Sequence, residues 1–134
     1  MIRCTFISAV FLFIFSACSR ENTYTKRISR AWKMSEYRVN DEDRTSDFNT
    51  VLQNFTITFV ESGTFTENWI TIIPLSNSGN YEFFNNANNI ELRDVNQTRR
   101  FKINTINKNR LDVEYTHTNN DSSTEVRRHI LIPV

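Results

Sequence analysis

Few side chains in this sequence could do covalent chemistry. The cysteines are Cys4 and Cys18, and the histidines are His117 and His129. Nucleophilic catalysis needs a Ser, Thr or Cys beside a base that a third group orients. His117 lies between Thr116 and Thr118, His129 lies between Arg128 and Ile130, and neither stands in a catalytic motif. Asp41, Asp43, Thr45 and Asp47 place oxygens at alternate positions, as a calcium loop would. The glycine expected at the sixth position is Ser46, the acid expected at the twelfth is Leu52, and Arg44 adds a positive charge, so a solvated acidic loop is expected instead. Two distant histidines make no zinc ligand set. Arg93, Arg99, Arg100 and Lys102 flank one turn with Glu91 and Asp94 among them. They read as a solvated strand end, with an anion or lipid head-group site as the alternative. The expectation is a non-enzymatic protein with no metal and no cofactor.

The remaining candidate chemistry belongs to Cys18. Arg3, an apolar run from Phe6 to Phe15 and the small residues Ser16-Ala17 form an export signal. The run is shorter than the roughly 20 apolar residues a spanning helix needs. Phe15-Ser16-Ala17-Cys18 resembles the lipobox of bacterial lipoproteins, with Phe15 where leucine is usual. That resemblance implies cleavage before Cys18, lipidation of its sulfur and acylation, palmitate for example, of the new N-terminus. Residue 19 is Ser rather than the aspartate that retains some lipoproteins at the inner membrane. The implied location is the outer membrane, on either its periplasmic or its surface face. With Cys4 lost and Cys18 lipidated, no disulfide can form. The whole chain carries 16 basic and 15 acidic side chains. Losing Arg3 makes the count even, which argues against nucleic acid as a partner.

Positioning elements follow from periodicity. Phe55-Thr56-Ile57-Thr58-Phe59 alternates as a half-buried strand does, and Ser62-Gly63 turns it toward Phe65. Eight strands are expected in all, with Ala31 to Val39 the first. The central hairpin runs over Phe55 to Val60 and Phe65 to Ile73; then come Tyr81 to Phe84, Ile90 to Val95, Phe101 to Ile106, Leu111 to Tyr115 and Glu125 to Ile132. Pro74 and Ser76-Asn77-Ser78-Gly79 read as a break, and Asn85 to Asn89 as a turn. Residues 40–49 are a long loop or a short helix. The domain plan is a signal at 1–17, a lipid-bearing cysteine with a polar tether at 18–30, and one β domain at 31–134.

Cys18, Trp32-Lys33-Met34, Phe55 to Phe65, Gly79-Asn80-Tyr81-Glu82-Phe83 and Arg110-Leu111-Asp112-Val113 together resemble the small lipocalin-like lipoproteins of Gram-negative bacteria. The resemblance implies an all-β, eight-stranded, antiparallel up-and-down barrel. It implies a mouth near Trp32, Trp69, Tyr81 and Tyr115, and a late arginine, Arg127 or Arg128, packed over Trp32. Such a barrel is either filled by side chains or hollow enough for one small ligand. The many rings favour filling: beyond the signal lie Phe48, Phe55, Phe59, Phe65, Phe83, Phe84 and Phe101, with two Trp and four Tyr. Two functions are carried forward. One is a lipid-anchored envelope protein binding a small apolar or amphipathic ligand in the barrel mouth. The other is a filled interaction module that binds a glycan, for instance on Trp69, Tyr81 and Phe84, or an envelope protein.

Overall fold

The computed structural model describes residues 20–134, so the signal, Cys4 and Cys18 lie outside the described residues. Residues 20–28 form a helix, α1. Then follow β1 (Ala31–Val39), β2 (Glu42–Asp43), α2 (Thr45–Val51), β3 (Gln53–Val60), β4 (Thr64–Ile70), β5 (Pro74–Phe84), β6 (Asn89–Asp94), β7 (Thr98–Ile106), β8 (Leu111–Thr118) and β9 (Thr124–Pro133). Each strand from β3 onward pairs antiparallel with the next, β1 pairs with β3, and β1 also pairs with β9. The sheet therefore closes into an eight-stranded up-and-down barrel. Closure removes the free edges that an open sheet would expose. The two-residue β2 only extends β1 at one end.

Alternation decides which side chains enter the barrel. Ile57, Phe59, Phe65, Ile90, Leu92, Phe101, Leu111, Val113 and Leu131 point inward and are buried. Outward neighbours such as Thr66, Asn68, Lys102 and Thr116 are exposed. Asparagines make the turns tight. Asn40 and Asp41 both have positive φ, as a two-residue hairpin turn of the primed kind requires. Asn85, Asn86 and Ala87 also take positive φ, and Ala87 is driven into the core.

Two expectations are corrected here. The residues expected to break the chain after Pro74 instead belong to β5. Pro74 is its first residue, where a missing N–H is tolerated. Gly79 pairs with Asp94 and lies so close to β6 that a Cβ would stand 2.1 Å from the Arg93 carbonyl oxygen. This glycine serves close strand approach, not a turn. The second correction concerns the tether, because residues 20–28 are helical and pack on one end of the barrel. Ile28 is fully buried and Tyr24 meets Phe83 edge-on at 6.0 Å. Arg27 donates to the Ile106 carbonyl at 3.4 Å, and Arg30 donates to that of Lys108 at 2.9 Å. Polar residues dominate α1 because its other side faces water; Tyr24 and Ile28, four apart, form its narrow apolar stripe.

Candidate functional site: the barrel interior

The two ends of the barrel differ. At the base, under α1, rings fill the interior. Tyr24, Phe83, Tyr81, Phe59 and Phe65 form a continuous series of aromatic contacts with centroids 5.1 to 6.4 Å apart. Trp32 is sealed in beside them, its indole N–H donating to the Ile28 carbonyl at 2.8 Å. Above this plug the barrel is hollow, enclosing a cavity of about 740 Å³. That volume lies well inside the range of small-ligand sites. The expectation of a filled barrel is therefore corrected. Part of the ring inventory is spent on the base, and the rest stands along the wall: Tyr37, Phe48, Phe55, Trp69, Phe101 and Tyr115 line the cavity without closing it.

The cavity is graded along its axis. Ile28, Ile57, Phe59, Ile90, Leu92 and Leu111 make its lower wall apolar. Polar residues come in toward the mouth. On one side Arg99 from β7 donates to both carboxylate oxygens of Glu67 from β4, at 2.9 and 2.8 Å, with Asp94 at 3.6 Å. Asn77 joins Asp94 at 2.8 Å. On the other side Arg127 donates to Glu125 at 2.6 Å and toward the Tyr115 hydroxyl at 3.5 Å. That bond from Arg127 holds the Glu125 carboxyl below its usual range. Each of these half-buried guanidiniums is thus matched by a carboxylate, which offsets the cost of its partial burial.

Between these pairs, at mid-height, lies His129. Tyr37, Phe101, Tyr115 and Phe48 surround its ring, with centroids at 5.3, 5.8, 5.8 and 6.1 Å. Burial first, then the charges of Arg99 and Arg127, push its pKa down to about 4, so the imidazole is neutral at physiological pH. It lines the cavity. The mouth is partly roofed by α2, whose Phe48 packs on Tyr37 at 5.1 Å and on Phe55 at 5.6 Å. Thr45 anchors this roof by accepting the Tyr37 N–H at 2.9 Å.

The predicted site residues divide accordingly. Trp69, Tyr115 and Arg127 line the cavity. Trp32 and Tyr81 do not lie at the mouth: both belong to the base, where the Tyr81 hydroxyl donates to the Val60 carbonyl at 2.9 Å. Neither Arg127 nor Arg128 covers Trp32. The register pairs Trp32 with Pro133 but Arg128 with Arg38 and Arg127 with Val39, at the opposite end of β1. The guanidinium over Trp32 is that of Arg30, 5.7 Å from the ring. Arg128 instead grips Asp112 on the outside of the barrel at 2.7 and 2.8 Å, and Arg110 adds a further bond. Burial raises the Asp112 pKa, but these guanidiniums outweigh it and the net shift is downward.

The four-residue basic cluster divides too. Arg93 and Arg100 cover Glu91 outside, Lys102 pairs with Glu114, and only Arg99 points in. In the acidic loop, Asp43 accepts from the Thr45 backbone and hydroxyl, while Arg44 bridges Glu42 and Asp47. Trp69, Tyr81 and Phe84 form no shared glycan platform, since the first lines the cavity, the second plugs the base and the third faces out under Arg100. His129, Tyr37, Arg99 and Glu67 are the cavity residues that sequence reasoning missed. The inward parity of β4, β7 and β9 was a signal for them, because Glu67 shares parity with Phe65, Arg99 with Phe101 and His129 with Leu131.

Solved structures match this architecture. A lipocalin-like protein from Bacteroides uniformis superposes with a TM-score of 0.60 at 14% identity, covering 81% of this chain and 99% of that one. The chain has a lipocalin-like fold. An uncharacterized protein from Bacteroides eggerthii gives 0.59 at 10% identity, covering 80% of this chain and 99% of that one. Insecticyanin from the tobacco hornworm Manduca sexta also gives 0.59 at 10% identity, covering 80% of this chain and 61% of that one. No family profile and no curated protein sequence matches the chain. Within this lipocalin-like barrel, the base plug, the graded cavity and the α2 roof are the features that bear on function.

Proposed function

We propose that this protein is a lipid-anchored envelope protein of the outer membrane that takes one small apolar or amphipathic ligand into its barrel. The observation that carries the binding role is the cavity of about 740 Å³, apolar at its base and polar at its mouth. An eight-stranded barrel of this type has room for one small ligand when its side chains leave the centre open. Binding rather than catalysis suits the site. His129 is enclosed by aromatic rings, and His117 stands edge-on to Tyr115 at 6.5 Å, with no nucleophile hydrogen-bonded to either among the described residues. Support for the anchor comes from Phe15-Ser16-Ala17-Cys18 and from Ser19 after it.

The test is a titration of purified protein with the uncharged fluorescent probe N-phenyl-1-naphthylamine. A saturable, single-site rise in fluorescence is expected. Wild-type protein that leaves the probe dark at every concentration would rule out the carrier role.

A further inference from the structure

Among the described residues, the charged side chains on the cavity wall are all paired, whereas the imidazoles of His117 and His129 and the Tyr37 hydroxyl have no hydrogen bond; of these, His129 is the one set among four aromatic rings. Arg99 spends its two terminal nitrogens on Glu67, and its Nε, though without an acceptor, is sealed from the cavity. Arg127 is held by Glu125 and Tyr115, and Asp47 by Arg44. The His129 ring lines the cavity and, among the described residues, has aromatic contacts but no hydrogen-bond partner. A neutral imidazole offers one N–H donor and one bare acceptor nitrogen. A buried polar ring of this kind would be left unsatisfied by a purely apolar occupant, at a cost.

We propose that the ligand carries an uncharged hydrogen-bonding head, a hydroxyl or carbonyl, that engages His129 inside its ring of Tyr37, Phe48, Phe101 and Tyr115, with the apolar remainder filling the cavity below. This rests on the carrier role above and specifies its ligand class. A carboxylate is disfavoured on two grounds. No guanidinium on the wall is free to meet it without surrendering Glu67 or Glu125. The desolvation that keeps His129 neutral would fall on a ligand anion at the same depth. A hydroxyl both donates and accepts, so it can use either ring nitrogen.

The experiment displaces N-phenyl-1-naphthylamine from the full protein at pH 7 with three chain-matched competitors: 1-dodecanol, 1-chlorododecane and dodecanoate. Wild type is expected to release the probe to dodecanol at about a tenfold lower concentration than to dodecanoate. In His129→Phe the ratio of dodecanol to chlorododecane affinity should fall about tenfold, the size of one hydrogen bond. His129→Gln, which keeps a donor and an acceptor, should restore much of it. Dodecanoate competing as well as dodecanol in wild type overturns the proposal without needing any variant. An unchanged ratio in His129→Phe overturns it as well, while probe binding leaves the carrier role intact. Failure of wild type to bind the probe at all removes the carrier role itself.

Discussion

His129 couples the interior of the barrel to pH. Its folded pKa of about 4 lies below the ordinary 6.5, so between those values the unfolded chain takes up a proton that the folded chain refuses. Stability contributed by the neutral ring is therefore complete above about pH 6.5 and is lost as pH falls toward 4. The full loss, reached below about pH 4, is about 3 kcal/mol. Urea midpoints measured from pH 7 to 4.5 should decline in wild type and stay flat in His129→Phe; parallel declines would refute the assignment. Below about pH 4.5 both proteins should weaken together, because the unfolded chain then protonates the carboxyls of Glu91, Glu114 and Asp112, which the folded protein keeps ionised. The three residues Arg128-His129-Ile130 alone do not show this; the available signal was the parity His129 shares with Leu131. That parity places an imidazole among four aromatic rings drawn from β1, α2, β7 and β8.

The elements were the most legible level. Alternation in Phe55 to Phe59 and in Leu111 to Tyr115, with Asn-rich turns between strands, is a local property, and all eight expected strands correspond to barrel strands, although β4 ends at Ile70 and β5 begins at Pro74, seven residues before the expected start. What failed depended on contacts distant in sequence. Gly79 resembles a turn glycine until β6 is laid beside it. Placing a methyl there would force the backbones of β5 and β6 apart, since the obstructing atom is a carbonyl oxygen and not a movable side chain. Gly79→Ala is expected to cost about 1–3 kcal/mol in chemical denaturation; an unchanged midpoint would mean that the strands are looser than the register implies. Residues 20–28 failed as a tether for a related reason. An apolar stripe of two residues is too sparse to stand out as periodicity, yet Ile28 both caps the barrel and accepts the Trp32 indole bond. Helix formation there is secured by the barrel base that receives it, which fits the general weakness of isolated short helices.

For the whole molecule, composition gave the right ring inventory and the wrong conclusion. Filling depends on where rings lie along the barrel axis, and these are divided between plug and wall. The anchor is testable at this scale. Cys18→Ala is expected to move the protein from the membrane fraction to the soluble fraction, and retention in the membrane would refute lipid attachment at that residue. The packing of α1 bears on how the lipid proposed for Cys18 would orient the barrel. Two peptide units separate Cys18 from residue 20, a reach of about 7 Å, and residue 20 already belongs to the helix lying across the closed base. A lipid on Cys18 would therefore hold the plugged end against the bilayer and turn the mouth toward the aqueous compartment. Under the proposed carrier role, a ligand would then have to arrive from the water side or from another protein, and lateral diffusion out of the underlying leaflet would meet a wall of aromatic rings.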